Sequence, residues 1–375
     1  MLLHGIFPPI TTPFYPDGRV YLKKLEHNVE RYSKTPVAGI AVLGSTGEAV
    51  MLSDEERREV LKVASHACAP NKILIAGTGA ESAIETLRLT EYAGELGYDA
   101  ALVRTPHFYR PQMQPANLLA FYRTVADRSP VPILIYSVPI FTKYDIASDM
   151  VIELAEHPNI IGIKESGGDA DKIRQMVEGT RHIRRSATVT DTFGAVTLRM
   201  VHAFRAPHSE TSDDLVPVTA LAAGTTNNAG DGGPTRLIGP RSTKQSSSPA
   251  IRVLGTLKTR QKEVGFQVLA GSAQRLLPSL QAGAVGGILA FATPAPTACY
   301  EIYAAWKEGD NELARLKQER ITKAAIRVAS EFGIPGLKYA LDLNGYYGGP
   351  PRLPLLPLTA SQRAEVELLL SDIRN

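Results

Sequence analysis

The chain has only two cysteines, Cys68 and Cys299, among 375 residues. They stand far apart with no CxxC or CxxH spacing, which argues against a zinc site built on thiolates. At most one disulfide is possible, and a reducing cytosol is the expected compartment. The formal net charge is only +3, too small to point to nucleic acid or an anionic membrane surface. No apolar run approaches the roughly 20 residues of a membrane span. The opening "MLLHGIFPPITTPF" lacks a basic n-region, a long apolar core and an Arg/Ser-rich amphipathic helix. No signal or transit peptide is read there, and the expected location is cytoplasmic. The eight histidines are scattered without ligand spacing, so no metal is expected. No GxGxxG follows the first strand, and neither GxSxG nor a Walker motif occurs.

What remains is ordinary globular composition, 44% hydrophobic and 21% charged, long enough for one large barrel or two medium domains. Short β-rich runs alternate with longer helical patterns. The strand candidates are Gly5–Ile10, Val37–Gly44, Ile73–Gly77, Asp99–Val103, Pro132–Tyr136, Ile160–Lys164, Phe266–Gly271 and Gly286–Ala290. "SDEE" opens the second helix, with Ser53 as N-cap and Glu56 completing a capping box. Eight strands, each followed by a helix, predict an α/β fold of the (β/α)8 barrel type. An open doubly wound sheet is the alternative. Glu312–Phe332 and Ser361–Ile373 read as added helices, so residues 311–375 form an expected C-terminal helical extension on a catalytic barrel of residues 1–310.

One segment breaks the rhythm. Residues 186–265 separate the sixth helix from the seventh strand, where a few residues suffice. The middle, "AAGTTNNAGDGGPTRLIGPRSTKQSSSPA", cannot bury a core. Its flanks are more ordered: "SATVTDTF" reads as a strand and "GAVTLRMVHAF" as a helix. The expectation is an inserted, partly disordered excursion. A variable surface loop, an interaction arm and a translated non-coding stretch all fit it.

The chemistry of such a barrel lies at the C-terminal ends of its strands. "NIIGIKESGGD" places Lys164 at the end of an apolar strand, where an amine reaches water, pairs with a carboxylate such as Glu165, or gives up its proton. A neutral amine attacks a ketone and forms an imine, which stabilises a carbanion on the next carbon. "GSTGE", Gly44 to Glu48, offers hydroxyls and close-set N–H groups that suit a carboxylate. A tight strand-to-helix turn is the plainer alternative. Tyr136, in "YSVP", is a possible proton relay or a core tyrosine.

In combination, "TTPF" at 11–14, "GSTGE" at 44–48, "YSVP" at 136–139, "GIKESGGD" at 162–169 and "LAGS" at 269–272 resemble the dihydrodipicolinate synthase / N-acetylneuraminate lyase family of class I aldolases. The resemblance covers about residues 4–184 and 266–372. It implies a (β/α)8 barrel with a C-terminal helical extension, a homotetramer built as a dimer of dimers, and no cofactor. It implies Lys164 as Schiff-base lysine for pyruvate, Tyr136 with Ser45 as catalytic proton relay, and Ser45, Thr46 and Gly44 around the 2-oxo acid carboxylate. Gly271 and Ile288 would supply main-chain groups near the imine, with Ser166 and Phe141 also lining the substrate pocket. The synthases carry an arginine two residues after "YxVP", where this chain has Phe141. Their relay tyrosine after strand four is Phe108 here, with Tyr109 beside it; both are relay or interface candidates. "YSVP", "SGGD" and the tail "FGIPGLKYALDLNGYYGGPPRLPL" look closer to 4-hydroxy-2-oxoglutarate aldolases.

The implied reaction is reversible cleavage of a 4-hydroxy-2-oxo acid to pyruvate and an aldehyde. The partners are then small molecules, with neither nucleic acid nor membrane. Arg104 and Lys143 are candidates, by position, to hold an aldehyde carboxylate. The alternatives are condensation of pyruvate with aspartate semialdehyde, a sugar-acid dehydratase using the same imine, and a non-catalytic effector-binding or scaffold protein acting through the insert.

Overall fold

The computed structural model describes residues 1–192, 194–205, 252–254 and 257–373. Eight parallel strands form its centre: Gly5–Phe7 (β1), Gly39–Val42 (β2), Ile73–Gly77 (β3), Ala100–Arg104 (β4), Ile133–Ser137 (β5) and Ile160–Glu165 (β6), then, beyond an excursion, Gln267–Ala270 (β10) and Gly286–Ile288 (β11). The hydrogen-bonded order runs β1-β11-β10-β6-β5-β4-β3-β2. Bonds from Ala38 N to Ile6 O at 2.9 Å and Ala41 N to Pro8 O at 3.0 Å then join the two ends. The sheet closes on itself, and the expected (β/α)8 barrel is the fold.

Closure explains the composition of the strands. One face packs inside the barrel and the other under the helices, so β2, β5 and β6 are buried at every position. Gly162 sits where β6 crosses β10 closely; a Cβ there would lie 2.2 Å from the Gln267 carbonyl oxygen. The predicted capping box is present at Ser53 and Glu56. The long pattern over 312–332 divides, however. An α-helix, Asn311–Ala324, runs into a π-helical stretch, Ala325–Glu331, and a new helix, Gly333–Leu343, follows. There the Val328 carbonyl meets the backbone of Gly336, an approach only a residue without Cβ allows. The last helix is Ala360–Leu369.

The flanks of the excursion are ordered. Arg185–Thr190 (β7), Arg252–Leu254 (β8) and Leu257–Val264 (β9) form a small antiparallel sheet, and the helix is Leu198–Arg205. The Gly/Ser/Thr-rich middle, expected to be disordered, lies outside the described residues. The flanks dock on the N-terminal end of the barrel. Arg185 donates to the carbonyls of Ala155, His157 and Ile160, just before and at the start of β6. Thr197 donates to Pro70 O at 2.6 Å, and Arg199 reaches Lys72 O and Asp99. Ala187, Val189 and Val264 pack with Leu2.

Candidate active site at the C-terminal mouth of the barrel

β5 and β6 pair so that Tyr136 stands beside Lys164. Side chains alternate along β6, so Lys164 projects into the barrel while Glu165 turns outward. Lys164 is 4% exposed, and its Nζ lies 4.0 Å from the centroid of the Tyr136 ring. The Tyr136 hydroxyl is 3.1 Å from Ser45 Oγ. Lysine, phenol and serine hydroxyl thus line up from three strand ends, an arrangement able to move a proton between a lysine-bound carbon and solvent.

Ser45–Gly47 is a single 3-10 turn after β2. It is flanked by two non-glycine residues with left-handed backbone, Leu43 at φ 61° and Glu48 at φ 54°. Such residues cost of order 1–3 kcal/mol and persist where surroundings hold them. The clamp is visible. Thr12 Oγ1 donates to Gly47 O at 2.7 Å. Glu48 is buried, and its carboxylate pairs with Lys338 Nζ at 2.6 Å and accepts from Arg352 N at 2.8 Å.

Glu165 orders the loop after the lysine. Its Oε1 accepts from Gly167 N at 2.5 Å, and Oε2 pairs with Lys172 Nζ at 3.1 Å. Lys172 also pairs with Asp145. Gly271 N donates to Glu165 O at 2.7 Å, and a Cβ on Gly271 would lie 2.2 Å from Ser166 Oγ. Ser166 Oγ is buried and lacks a hydrogen-bond partner among the described residues. Ile288 ends β11 and is fully buried.

Lys164, Tyr136, Ser45, Thr46, Gly44, Ser166, Gly271 and Ile288 all sit at the C-terminal ends of the barrel strands or in the turns that follow. Phe141, Phe108 and Tyr109 are instead exposed, on the rim segments after β4 and β5. Arg104 is not a free cation. Its Nη1 contacts Glu81 Oε1 at 2.8 Å and His107 Nδ1 at 2.9 Å. Burial pushes the Glu81 carboxyl up, but the N–H groups of Phe108 and His107 and the Arg104 guanidinium bring it below its ordinary value. This cluster fixes the rim loop and corrects the expectation for Arg104, because a guanidinium already paired holds little for a substrate. Lys143 is exposed, at φ 54°.

Sequence reasoning passed over Glu48, Lys338 and Arg352. The signal was present: a lysine in the apolar run "GIPGLKYAL" is as conspicuous as Lys164.

The description "Dihydrodipicolinate synthetase family" matches residues 2–190 and 244–373. The chain belongs to that family. Its members are lyases and synthases, so this protein is an enzyme of the carbon–carbon lyase kind. A 4-hydroxy-tetrahydrodipicolinate synthase from Methanothrix thermoacetophila is 27% identical over 372 residues, covering 99% of this chain and 97% of the relative. The synthase from Methanococcoides burtonii is 38% identical over 179 residues, which is 48% of this chain and 60% of the relative. Among solved structures, the chloride-inhibited dihydrodipicolinate synthase from Acinetobacter baumannii, complexed with pyruvate, superposes with a TM-score of 0.72 at 26% identity over 99% of both chains. The Bacillus anthracis synthase gives 0.73 at 22% identity over the full length of both.

Proposed function

We propose that this enzyme forms an imine between Lys164 and a 2-oxo acid and reversibly cleaves a 4-hydroxy-2-oxo acid to pyruvate and an aldehyde. The observation that carries this reading is the buried Lys164 Nζ against Tyr136, whose hydroxyl reaches Ser45. The Lys164 amine adds to C2, Tyr136 gives its proton to the carbinolamine hydroxyl, water leaves, and an iminium forms. The Tyr136 phenolate then accepts the C4 hydroxyl proton. The C3–C4 bond breaks, its electron pair passes into the iminium to give an enamine, and the aldehyde departs. Tyr136 returns that proton to C3, and hydrolysis releases pyruvate and the free lysine amine while the phenolate takes back the proton set free. The iminium takes up the electrons, so the cleavage proceeds on side chains alone.

The 2-oxo acid carboxylate is assigned to the Gly44–Gly47 turn, with the Ser45 hydroxyl at its edge. Phe141 favours an aldolase that releases a neutral aldehyde over the synthase reading, since a phenyl ring cannot pair with the carboxylate of aspartate semialdehyde; glyoxylate, the aldehyde from 4-hydroxy-2-oxoglutarate, would need a cation from another position. The second reading, condensation of pyruvate with that aldehyde, is favoured by the names of the relatives. We place the enzyme in a reducing cytosol, consistent with two free, buried cysteines. No helix among the described residues is long and apolar enough to cross a membrane.

Borohydride reduction with pyruvate, followed by peptide mass spectrometry, tests the imine: the adduct is expected on the peptide containing Lys164. Pyruvate release from 4-hydroxy-2-oxoglutarate then separates the two readings from a reductase-coupled assay with aspartate semialdehyde. A folded protein that yields no adduct would overturn both.

A further inference from the structure

Lys338 lies on the helix Gly333–Leu343, outside the barrel, yet it is 1% exposed. An ammonium has three protons to place. Here they meet Glu48 at 2.6 Å, Thr12 O at 2.9 Å and Pro350 O at 2.9 Å. Thr12 also holds the Ser45–Gly47 turn, through its hydroxyl to Gly47 O. The Phe14 ring stands between two cations, with Lys338 Nζ at 4.3 Å and Arg352 Cζ at 4.4 Å from its centroid. Arg352 in turn makes a two-pronged pair with Glu56 at 2.6 and 2.7 Å. The "TTPF" segment, the "GSTGE" turn and the C-terminal tail are therefore tied through one buried charge pair.

We propose that Glu48 and Lys338 are positioning residues for the 2-oxo acid carboxylate: the C-terminal extension clamps the Gly44–Glu48 turn through this pair and so sets affinity for the 2-oxo acid. This builds on the reading that the turn receives the carboxylate. Neither side chain is placed against substrate. The mechanical reason is the left-handed backbone of Glu48, which a non-glycine residue keeps only under restraint. Relaxing it would turn the Ser45 hydroxyl and the turn's N–H groups off their target, while leaving the amine and phenol of Lys164 and Tyr136 in place.

The pair is also sensitive to pH. Burial pushes the Lys338 ammonium down to about 8, against Glu48 and Asp342, which hold it up, and with Arg352, which lowers it further. Above that pH Glu48 loses its counter-ion, and the clamp weakens.

The test uses the full-length enzyme and reads the pyruvate concentration that gives half-maximal borohydride-trapped adduct. Lys338→Met and Glu48→Gln are each expected to raise it on the order of tenfold, one decade of binding-competent population, with trapping at saturating pyruvate retained. In the unaltered enzyme, that concentration should climb above pH 8, and Glu48→Gln should remove the climb. Unchanged half-saturation in folded variants would overturn the inference and leave the pair as a structural staple. Should Lys338→Met fail to fold, Glu48→Gln, which keeps shape and hydrogen bonding, decides alone. If the unaltered enzyme traps no pyruvate, the functional reading itself falls, and this inference with it; if it traps normally, only the inference is at stake.

Discussion

Lys164 and Tyr136 divide the proposed chemistry between a nucleophile and a proton carrier, so their substitutions should fail differently. Lys164→Met removes the amine and should abolish the borohydride adduct. Tyr136→Phe keeps the ring against Lys164 and removes only the hydroxyl. Pyruvate trapping should survive, while turnover falls by about a hundred- to a thousandfold, the usual contribution of a positioned acid–base group. Phe141 offers the reverse experiment. Phe141→Arg would supply a charge-assisted donor worth about 1.5–3 kcal/mol to a carboxylate. It should raise kcat/KM for aspartate semialdehyde by about ten- to a hundredfold, measured with a coupled reductase; no gain would show that position 141 does not face the second substrate. The positions of Lys164 and Tyr136 were legible in the sequence because a lysine or tyrosine at a strand end is a local pattern. The fate of Arg104 was not, since the Glu81 carboxylate that takes it up comes from the loop after β3.

At the scale of elements, the C-terminal helix Gly333–Leu343 and the turn after β2 share one buried ion pair. Removing one partner leaves the other charge in the interior, which costs about 3–5 kcal/mol. Lys338→Met should therefore lower the urea midpoint, and Lys338→Met combined with Glu48→Gln should recover part of it. At the other end of the barrel, His4, just before β1, carries a different signature. Burial, with Lys262 and Lys307 nearby, pushes the His4 imidazole down from 6.5 to about 4. Between those values the unfolded chain binds a proton that the folded chain does not, so stability falls as pH drops from 6.5 toward 4. Urea midpoints across that range should show the slope, and His4→Gln should flatten it. The eight-strand alternation was readable because each strand carries its own apolar run. The division of the 312–332 pattern was not, since the π-helical stretch answers to the close approach of Gly336 from the next helix.

On the scale of the whole molecule, the proposed site and the excursion lie at opposite ends of the barrel. Lys164, Tyr136 and the Gly44–Glu48 turn occupy the C-terminal mouth, while the flanks of the excursion dock on the N-terminal end with Leu2, Pro70 and Asp99. The helix Leu198–Arg205 lies against β8. Replacing residues 206–251 with a short linker should therefore leave pyruvate trapping unchanged; loss of trapping in a folded variant would reassign the excursion to the site. The mouth is rimmed by exposed Val50, Ile84, Phe108, Tyr109, Ile140 and Phe141. So apolar a rim is expected to be covered by a second copy, and sedimentation of Phe108→Glu should report a smaller species than the unaltered enzyme.

By itself, the sequence determined the alternation of strands and helices, the lysine at the end of β6 and the hydroxyl-rich turn after β2. Each is written in the local order of apolar and polar residues, which reports burial. Only the tertiary structure decided which buried groups meet: Ser45 with Tyr136 across 91 positions, Glu48 with Lys338, Arg104 with Glu81. Burial says that a charge needs a partner, but barrel closure and the return of the C-terminal helix choose it.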